Sequence, residues 1–366
     1  MRRYPEGERW VLLEAAASSP SELPKGYTPL FLPVSNGLGA GLDLNRALCH
    51  GVLEILQRDG NSVSYRALDQ GRVVEVSSGV PENVQGVLDR LSAAGLSVNV
   101  KLAATDFNLA NVYVNGYSAG GDGDHPQVKL AAGGEACDLD RAAALRKALL
   151  EFAFSRARLA FSHGPLAKAA ALAPTGYLDA HFTHARNVTE EERALNAMKR
   201  WLNLSPTELR AELEPIYSQR EFIPFTTLPE RPNLANATPE ARLQEVAERL
   251  EGFDVLYLEL ATPQAREQGV SAVKVVIPGL EVETASYGRI GERNLKRLLG
   301  RNSPLVGLGT PPPGAKRIYL TDAAEARLGD EAWFHAERLE EVVGNLYALY
   351  REPARHAVRY ALGERP

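Results

Sequence analysis

Two stripes of polar residues in this sequence repeat one helical spacing of four, four and three positions. They are Arg46, His50, Glu54 and Gln57, and Lys147, Glu151, Ser155 and Arg158. Residues at these intervals share one face of a helix, so each stripe presents one glutamate among other polar groups. If the two helices border one cleft, their carboxylates meet there. The alternative is two amphipathic helices whose polar faces are solvated.

The two helices also resemble each other in sequence. The segments ALCHGVLE (47–54) and ALRKALLE (144–151) both follow an Asp-Leu-x-Arg start and a glycine-rich approach. Either a duplication or a chance match between two helices rich in alanine and leucine explains the similarity. A duplication predicts that Glu54 and Glu151 occupy related places and face the same cleft.

A glycine-rich run, Ser35-Asn36-Gly37-Leu38-Gly39-Ala40-Gly41, lies directly before the first of these helices. Backbone N–H groups and the positive end of a helix suit a phosphate group. The run does not match G-x-x-x-x-G-K-S/T, and its G-x-G-x-G lacks a preceding βαβ setting, so it is an incomplete nucleotide fingerprint.

Hydrophobic periodicity indicates the elements that position these residues. Helices are predicted from Asp43 to Gly60, over 81–95, from Asp138 to His163, from a Thr189–Glu192 capping box, over ATPEARLQEVAERLEGF and over 331–351. Strands are predicted in LSVNVKLAAT, NVYVNGYS, VKLAAG, DVLYLELAT and SAVKVVIPG, whereas the opening to Val34 and the stretch from Gly164 to Val188 are predicted to be irregular. Together they predict a mixed α/β (α+β) fold with helices packed on β-sheets. One large domain is expected over 1–300, a Pro/Gly-rich linker over 301–316, and a helical segment packed on the body over 317–366.

Composition excludes several classes of protein. The 366 residues are 45% hydrophobic and 24% charged, with 41 Lys and Arg against 46 Asp and Glu, which gives a net charge of −5. This balance is typical of a globular chain and argues against nucleic-acid binding. We expect no membrane span, since the longest uncharged stretch, 107–121, is shorter than the roughly 20 apolar residues that a spanning helix needs. The charged N-terminus predicts no signal peptide, so the expected location is the cytoplasm. Cys49 and Cys137 have no metal-binding spacing and are expected to be buried.

The segment SNGLGAGLDLNRALCHGVLEILQRD resembles the central motif of YcaO-domain proteins, S-N-G-x-x-A-G followed by Q-G-x-x-E-x-x-E-R. ACDLDRAAALRKALLEFAFSRAR resembles the second helix of that family, A-L-x-x-A-x-x-E-x-x-Q-x-R. VKVVIPGLE, GRIGER and the opening RYPEGERWVLL are similar to further family segments. The resemblance covers about residues 1 to 295, in order.

The resemblance implies a YcaO-like fold with a nucleotide cleft between the two glutamate-bearing helices. It also implies an enzyme that uses ATP and Mg²⁺ to phosphorylate a backbone amide, giving an azoline or a thioamide in a ribosomally made peptide. The implied catalytic residues are Glu54 and Glu151, and the implied metal ligands are Glu54, Gln57 and Glu151. The implied nucleotide-binding residues are Ser35, Asn36, Gly37, His50, Arg156, Arg289 and Arg293.

The chain departs from the family pattern at several positions. Gln57 replaces the second glutamate of E-x-x-E-R, His50 replaces a glutamine, and Phe154 replaces another. The earlier S-x-x-x-E-x-x-E-R motif of the family does not precede Ser35. The implied partners are a precursor peptide and a partner protein or second YcaO-like subunit, with a homodimer as another possibility; nucleic acid and membrane are not expected partners. The alternative function is a degenerate, non-catalytic homologue that binds a precursor peptide or scaffolds a partner.

Overall fold

The computed structural model describes residues 1–31, 33–62, 67–118, 127–185, 190–231, 234, 237–281 and 290–366. The strands are β1 (Arg2–Tyr4), β2 (Leu38–Gly41), β3 (Arg72–Glu75), β4 (Leu96–Ala104), β5 (Ala110–Ser118), β6 (Gly134–Asp138), β7 (Glu221–Pro224), β8 (Val255–Glu259), β9 (Ser271–Val276), β10 (Val306–Leu308), β11 (Ala315–Ile318) and β12 (Ala332–His335). Within the described ranges they form three sheets, ordered β1-β8-β9-β2, β6-β5-β4-β3-β7 and β10-β12-β11. Neighbouring strands are antiparallel except for the parallel pair of β3 and β7.

Helices cover the sheets and complete the mixed α/β fold that the sequence predicts. They are α1 (Leu13–Ala16), α2 (Leu44–Ser62), α3 (Glu82–Ala93), α4 (Arg141–His163), α5 (Leu166–Leu172), α6 (Tyr177–Ala185), α7 (Glu192–Asn203), α8 (Pro206–Glu212), α9 (Glu214–Tyr217), α10 (Pro239–Arg249), α11 (Pro263–Glu267), α12 (Glu292–Gly300), α13 (Asp322–Leu328), α14 (Ala336–Val343), α15 (Tyr347–Tyr350) and α16 (Ala357–Ala361). In the described part of the chain, no helix is long and apolar enough to cross a membrane.

The two glutamate-bearing helices start at aspartate caps. The Asp43 carboxylate accepts a hydrogen bond from the backbone N–H of Arg46 at 2.8 Å, and the Asp140 carboxylate accepts from Ala142 and Ala143 at the start of α4. Such caps satisfy N–H groups that have no partner within the helix. The caps therefore fix where α2 and α4 begin, and with that which residues lie on their polar faces.

The buried apolar residues form two main clusters. One includes the inner faces of α2, α10, β8 and β9, and the other joins α3, α4 and the sheet around β5 to β10–β12 and α14. Val343 on α14 and Leu145 on α4 are both fully buried in this second cluster. Residues of the C-terminal segment thus share a buried cluster with α4.

Several predicted elements differ from the structure. The opening contains β1, and the expected irregular stretch after Gly164 contains α5 and α6. VKLAAG forms a 3₁₀ helix over Gln127–Ala131, and β6 follows it. The expected linker 301–316 contains β10 and the start of β11, so it is not a linker throughout. The predicted helix over 331–351 is interrupted: β12 precedes α14, and α15 follows a break at Gly344. Thr189 of the predicted capping box lies outside the described residues.

Candidate active site

The carboxylates of Glu54 and Glu151 are held by the same type of contact. Glu54 on α2 accepts a hydrogen bond at Oε2 from the backbone N–H of Gly37, at 3.0 Å. Glu151 on α4 accepts at Oε2 from the backbone N–H of Glu135, at 3.1 Å. In both cases the donor belongs to the segment that leads into the glutamate's own helix. The two glutamates therefore occupy related places, which favours the duplication over a chance match.

A buried carboxylate, Glu135 on β6, connects the two helices. Its Oε2 lies 3.0 Å from Arg58 Nη1 and accepts hydrogen bonds from the side-chain amides of Gln57 and Asn61, each at 3.3 Å. Arg58 Nη2 also lies 3.8 Å from Glu54 Oε1. Arg58 thus lies between Glu54 and Glu135, and Glu135 in turn fixes Glu151 through its backbone.

A cavity of about 280 Å³ opens beside this network. Its polar wall includes Arg58, Asn115, Glu135, Glu151, Ser155, Arg158 and Glu352. Apolar residues, among them Met198 and Trp201, line the rest. Glu54 is not among these lining residues. Its carboxylate lies 3.8 Å from Arg58, which does line the cavity. The structure thus brings Glu151, Ser155 and Arg158 of the second predicted stripe to one hollow.

The C-terminal segment closes one side of the cavity. Arg158 donates two hydrogen bonds to the Glu352 carboxylate, at 2.5 and 2.7 Å, and His163 Nε2 lies 2.8 Å from Glu352 Oε1. Burial opposes ionisation of Glu352, but hydrogen bonds from His163 and Arg158 outweigh it and lower the pKa of this carboxyl to about 2. Glu352 is therefore a charged part of the cavity wall.

The Ser35-Asn36-Gly37 turn lies next to Glu54, and its glycines have packing roles. A Cβ on Gly37 would lie 2.2 Å from the carbonyl oxygen of Val275, and one on Gly39 would lie 2.0 Å from that of Ala47. Most of the run forms β2, pressed against α2 and β9, so these glycines permit close approach of backbones. The phosphate loop that the run suggests is therefore not needed to explain them, although Gly37 still directs Glu54.

Charged groups of both predicted stripes influence His50 on α2. Partial desolvation and then the positive charge of Lys147 on α4 lower the pKa of His50, while Glu54 and the backbone of Ala40 raise it. The part of His50 in nucleotide binding stays a prediction.

Other predicted site residues are directed elsewhere. Gln57 is buried and directs its amide to Glu135 instead of sharing the exposed stripe. Arg156 is buried and donates to the carbonyl of Lys129 at 3.3 Å and to the Ser118 hydroxyl at 3.1 Å, and it does not line the cavity. Arg293 pairs with Asp59 at 3.0 Å, away from the cavity lining. Arg289 lies outside the described residues.

Sequence reasoning missed three groups at the site: Arg58, Glu135 and Lys274. Arg58 is the arginine of the E-x-x-E-R resemblance, so a signal for it existed. Glu135 lies on a strand that the periodicity did not indicate. Lys274 on β9 is only 2% exposed, and burial lowers the pKa of its ammonium to about 8.

The donor chemistry suits a hard cation that arrives with phosphates. Within the described ranges, no group of three or more His, Cys, Asp or Glu side chains lies close enough together to hold a metal ion. Mg²⁺ is commonly held by one or two carboxylates, water and the phosphate oxygens of a substrate. Glu54 and Glu151 are carboxylates of that kind.

Comparisons with known proteins bear on the family and the fold. Residues 4–281 match a family model described as YcaO cyclodehydratase, ATP- and Mg²⁺-binding. An uncharacterized protein of Methanothermobacter thermautotrophicus is 28% identical over 282 residues, covering 76% of this chain and 63% of that protein.

Among solved structures, one with a TM-score above 0.5 supports the fold. A heterocyclase in complex with substrate and cofactor superposes with a TM-score of 0.54 and 16% identity, covering 80% of this chain and 34% of its own. The YcaO protein of Methanopyrus kandleri bound with AMPPCP and Mg²⁺ has a TM-score of 0.48 and 17% identity, covering 70% of this chain and 57% of that one. This chain spans less than two thirds of the length of each of these relatives.

Proposed function

Because the chain belongs to the YcaO family, whose model describes an ATP- and Mg²⁺-binding cyclodehydratase, we propose that it activates a backbone amide of a peptide by ATP-dependent phosphorylation. The product would be an azoline or a thioamide in a ribosomally made peptide. The observation that carries the proposal is the equivalent placement of Glu54 and Glu151, linked through Arg58 and Glu135 beside one cavity.

Each residue of this network has a distinct part in the proposal. ATP and Mg²⁺ would supply the phosphoryl group and neutralise its charge during transfer. Glu54 and Glu151 would hold the cation, each with one oxygen oriented by a backbone N–H. Arg58 balances the charge of Glu54 and Glu135, so that the acidic residues can lie close together without strong mutual repulsion. The cavity beside Glu151 would receive the part of the substrate next to the reacting amide.

A second candidate function is favoured by Gln57 and Arg58. Gln57 stands where the family has a second glutamate, and its side-chain amide donates a hydrogen bond to the Glu135 carboxylate. Arg58 already supplies a positive charge between Glu54 and Glu135. These contacts favour a non-catalytic homologue that binds a precursor peptide or scaffolds a partner, with the peptide in the same cavity.

Calorimetric titration of the full chain with Mg-ATP separates the two candidates. Saturable heat below millimolar nucleotide supports the enzyme, whereas no heat in this range contradicts it for this chain alone and favours the second candidate. Glu54→Ala is expected to abolish the heat, because it removes a carboxylate that would contact the metal. Glu54→Gln, which keeps an acceptor for Gly37, should also lose it, while the exposed Glu248→Ala serves as the matched control. Unchanged affinity in both Glu54 variants would remove Glu54 from the site.

A further inference from the structure

Lys274 is a buried cation to which neither the family motif nor the proposed chemistry gives a role. It lies on β9 opposite Leu38 of β2, and its side chain is almost completely enclosed. Its Nζ donates hydrogen bonds to the backbone carbonyls of Val34, at 2.5 Å, and Asn36, at 2.6 Å. Burying an ammonium group is costly unless its donors are satisfied, so these two carbonyls are what makes the position tolerable.

The two carbonyls belong to the turn that presents a donor to Glu54. Gly37 has a φ of +87°, its carbonyl accepts a hydrogen bond from Val275 N–H at 2.7 Å, and its own N–H is directed at Glu54. The turn is thus held to β9 at adjacent positions, by the Lys274 side chain and the Val275 backbone. Release of the Lys274 contacts would leave the peptide groups before Gly37 without a fixed orientation.

We propose that Lys274 is a positioning residue, whose ammonium fixes the 34–37 turn so that the Gly37 N–H orients the Glu54 carboxylate. The functional part of this inference rests on the proposed function, because Glu54 matters for nucleotide binding only if the chain binds Mg-ATP. The structural part does not depend on it. The positive charge of Lys274 also attracts the carboxylate of Glu54, which favours the same arrangement.

The molecule contains its own control for a test of this inference. The control is the Glu135 N–H, which contacts Glu151 in the same way as the Gly37 N–H contacts Glu54. The Lys274 ammonium, by contrast, contacts the turn at 34–37, which carries the Gly37 N–H. Lys274→Met removes the ammonium but keeps an apolar chain of similar length. We expect amide hydrogen exchange at Gly37 to become at least about tenfold faster in this variant, while exchange at Glu135 stays unchanged. Lys316→Met, at an exposed lysine of β11, should change neither rate.

Each result of this experiment decides the inference. Faster exchange confined to Gly37 supports it, whereas equal acceleration at Gly37 and Glu135 means general loosening and overturns it, as does no change at all. If Lys274→Met does not fold, Lys274→Gln, which retains an amide donor, is measured instead and should show a smaller acceleration at Gly37. The nucleotide readout is separate: where wild type binds Mg-ATP, Lys274→Met should weaken binding at least about tenfold and Lys316→Met should not. Absence of binding in wild type contradicts the proposed function but leaves the exchange result valid.

Discussion

His356 lies in a cluster of rings that attaches the C-terminal segment to α4 and α6. It is fully buried, has a φ of +63°, and its ring packs against Phe161, Tyr177, His181 and Tyr360. Burial, then the charges of His181, Arg355 and His163, lower the pKa of His356 to about 4. The ring is therefore neutral in the folded protein under conditions where it would be charged in the unfolded chain.

The sign of the resulting pH dependence follows from proton binding. Between the ordinary pKa of about 6.5 and the folded value, the unfolded chain binds the additional proton, so the free energy of unfolding falls as the pH decreases. The stabilising contribution is complete above pH 6.5 and is lost as the pH falls toward about 4. Denaturant unfolding of wild type and His356→Asn at several pH values tests this. Asparagine is chosen because it tolerates the positive φ of this position. The variant lacks the packed, titratable ring, so it should be less stable at pH 7 but lose less stability on acidification. Parallel pH profiles for the two proteins would contradict this assignment.

At the scale of elements, the contact between β2 and α2 depends on a missing side chain. A Cβ on Gly39 would lie 2.0 Å from the carbonyl oxygen of Ala47 and 2.8 Å from the backbone nitrogen of Gly51. Gly39→Ala must therefore push strand and helix apart, and we expect it to lower the free energy of unfolding by about 3 kcal/mol or more. Gly86→Ala in α3 is the control, because a Cβ at that position would have no neighbouring atom within 4 Å. It should stabilise the protein by about 0.5 to 1 kcal/mol, and similar effects of both substitutions in chemical denaturation would refute the packing argument.

The elements also explain which predictions from sequence succeed. Helices α2 and α4 have regular apolar spacing and aspartate starts, so local signals suffice to place Glu54 and Glu151. The alternation in VKLAAG is equally regular, but the carbonyls of Lys129 and Leu130 accept hydrogen bonds from Arg156 and Tyr217 instead of a neighbouring strand. Those partners are distant in sequence, and no local pattern indicates them.

The candidate site likewise combines residues that local patterns place with residues that only tertiary contacts place. Spacing alone places Gln57 on the α2 stripe, but the next residue, Arg58, reaches the cavity while Gln57 is buried. One position along a helix turns a side chain by about 100°, which is enough to exchange the two roles. Glu135 and Lys274 act through strands that meet α2 only after the sheets have formed. Their contribution therefore depends on tertiary packing, which a single sequence does not record.

For the whole molecule, the apolar cluster around α4 extends into the C-terminal segment. Buried residues of this segment that belong to the cluster are Leu305, Val306, Ile318, Ala332, Leu339, Val343, Leu346, Tyr347, Ala348, Tyr350 and Val358. Polar contacts reinforce this connection, since Glu352 pairs with Arg158 and the His356 N–H donates to the Ser162 carbonyl at 2.8 Å. A domain that ends near residue 300 would leave the matching faces of α4 and α12 open to water.

Removal of residues 301–366 therefore tests whether 1–300 is an independent domain. Each large buried apolar side chain contributes about 1.5 to 3 kcal/mol, and a whole domain is stable by only about 5 to 15 kcal/mol. The free energy lost with these buried side chains exceeds that margin. We therefore expect the 1–300 fragment to lack near-UV circular dichroism and to bind a hydrophobic dye. The full chain should unfold in one calorimetric transition. The fragment 1–363, which lacks only the last three residues, controls for the effect of truncation itself. It should lose the contacts of Glu364 with Leu166 and Arg359 and those of Arg365 with Tyr360 and Phe182. A folded 1–300 fragment, or two separate transitions in the full chain, would instead establish the boundary at residue 300 and make the C-terminal segment a separate cover over the cavity.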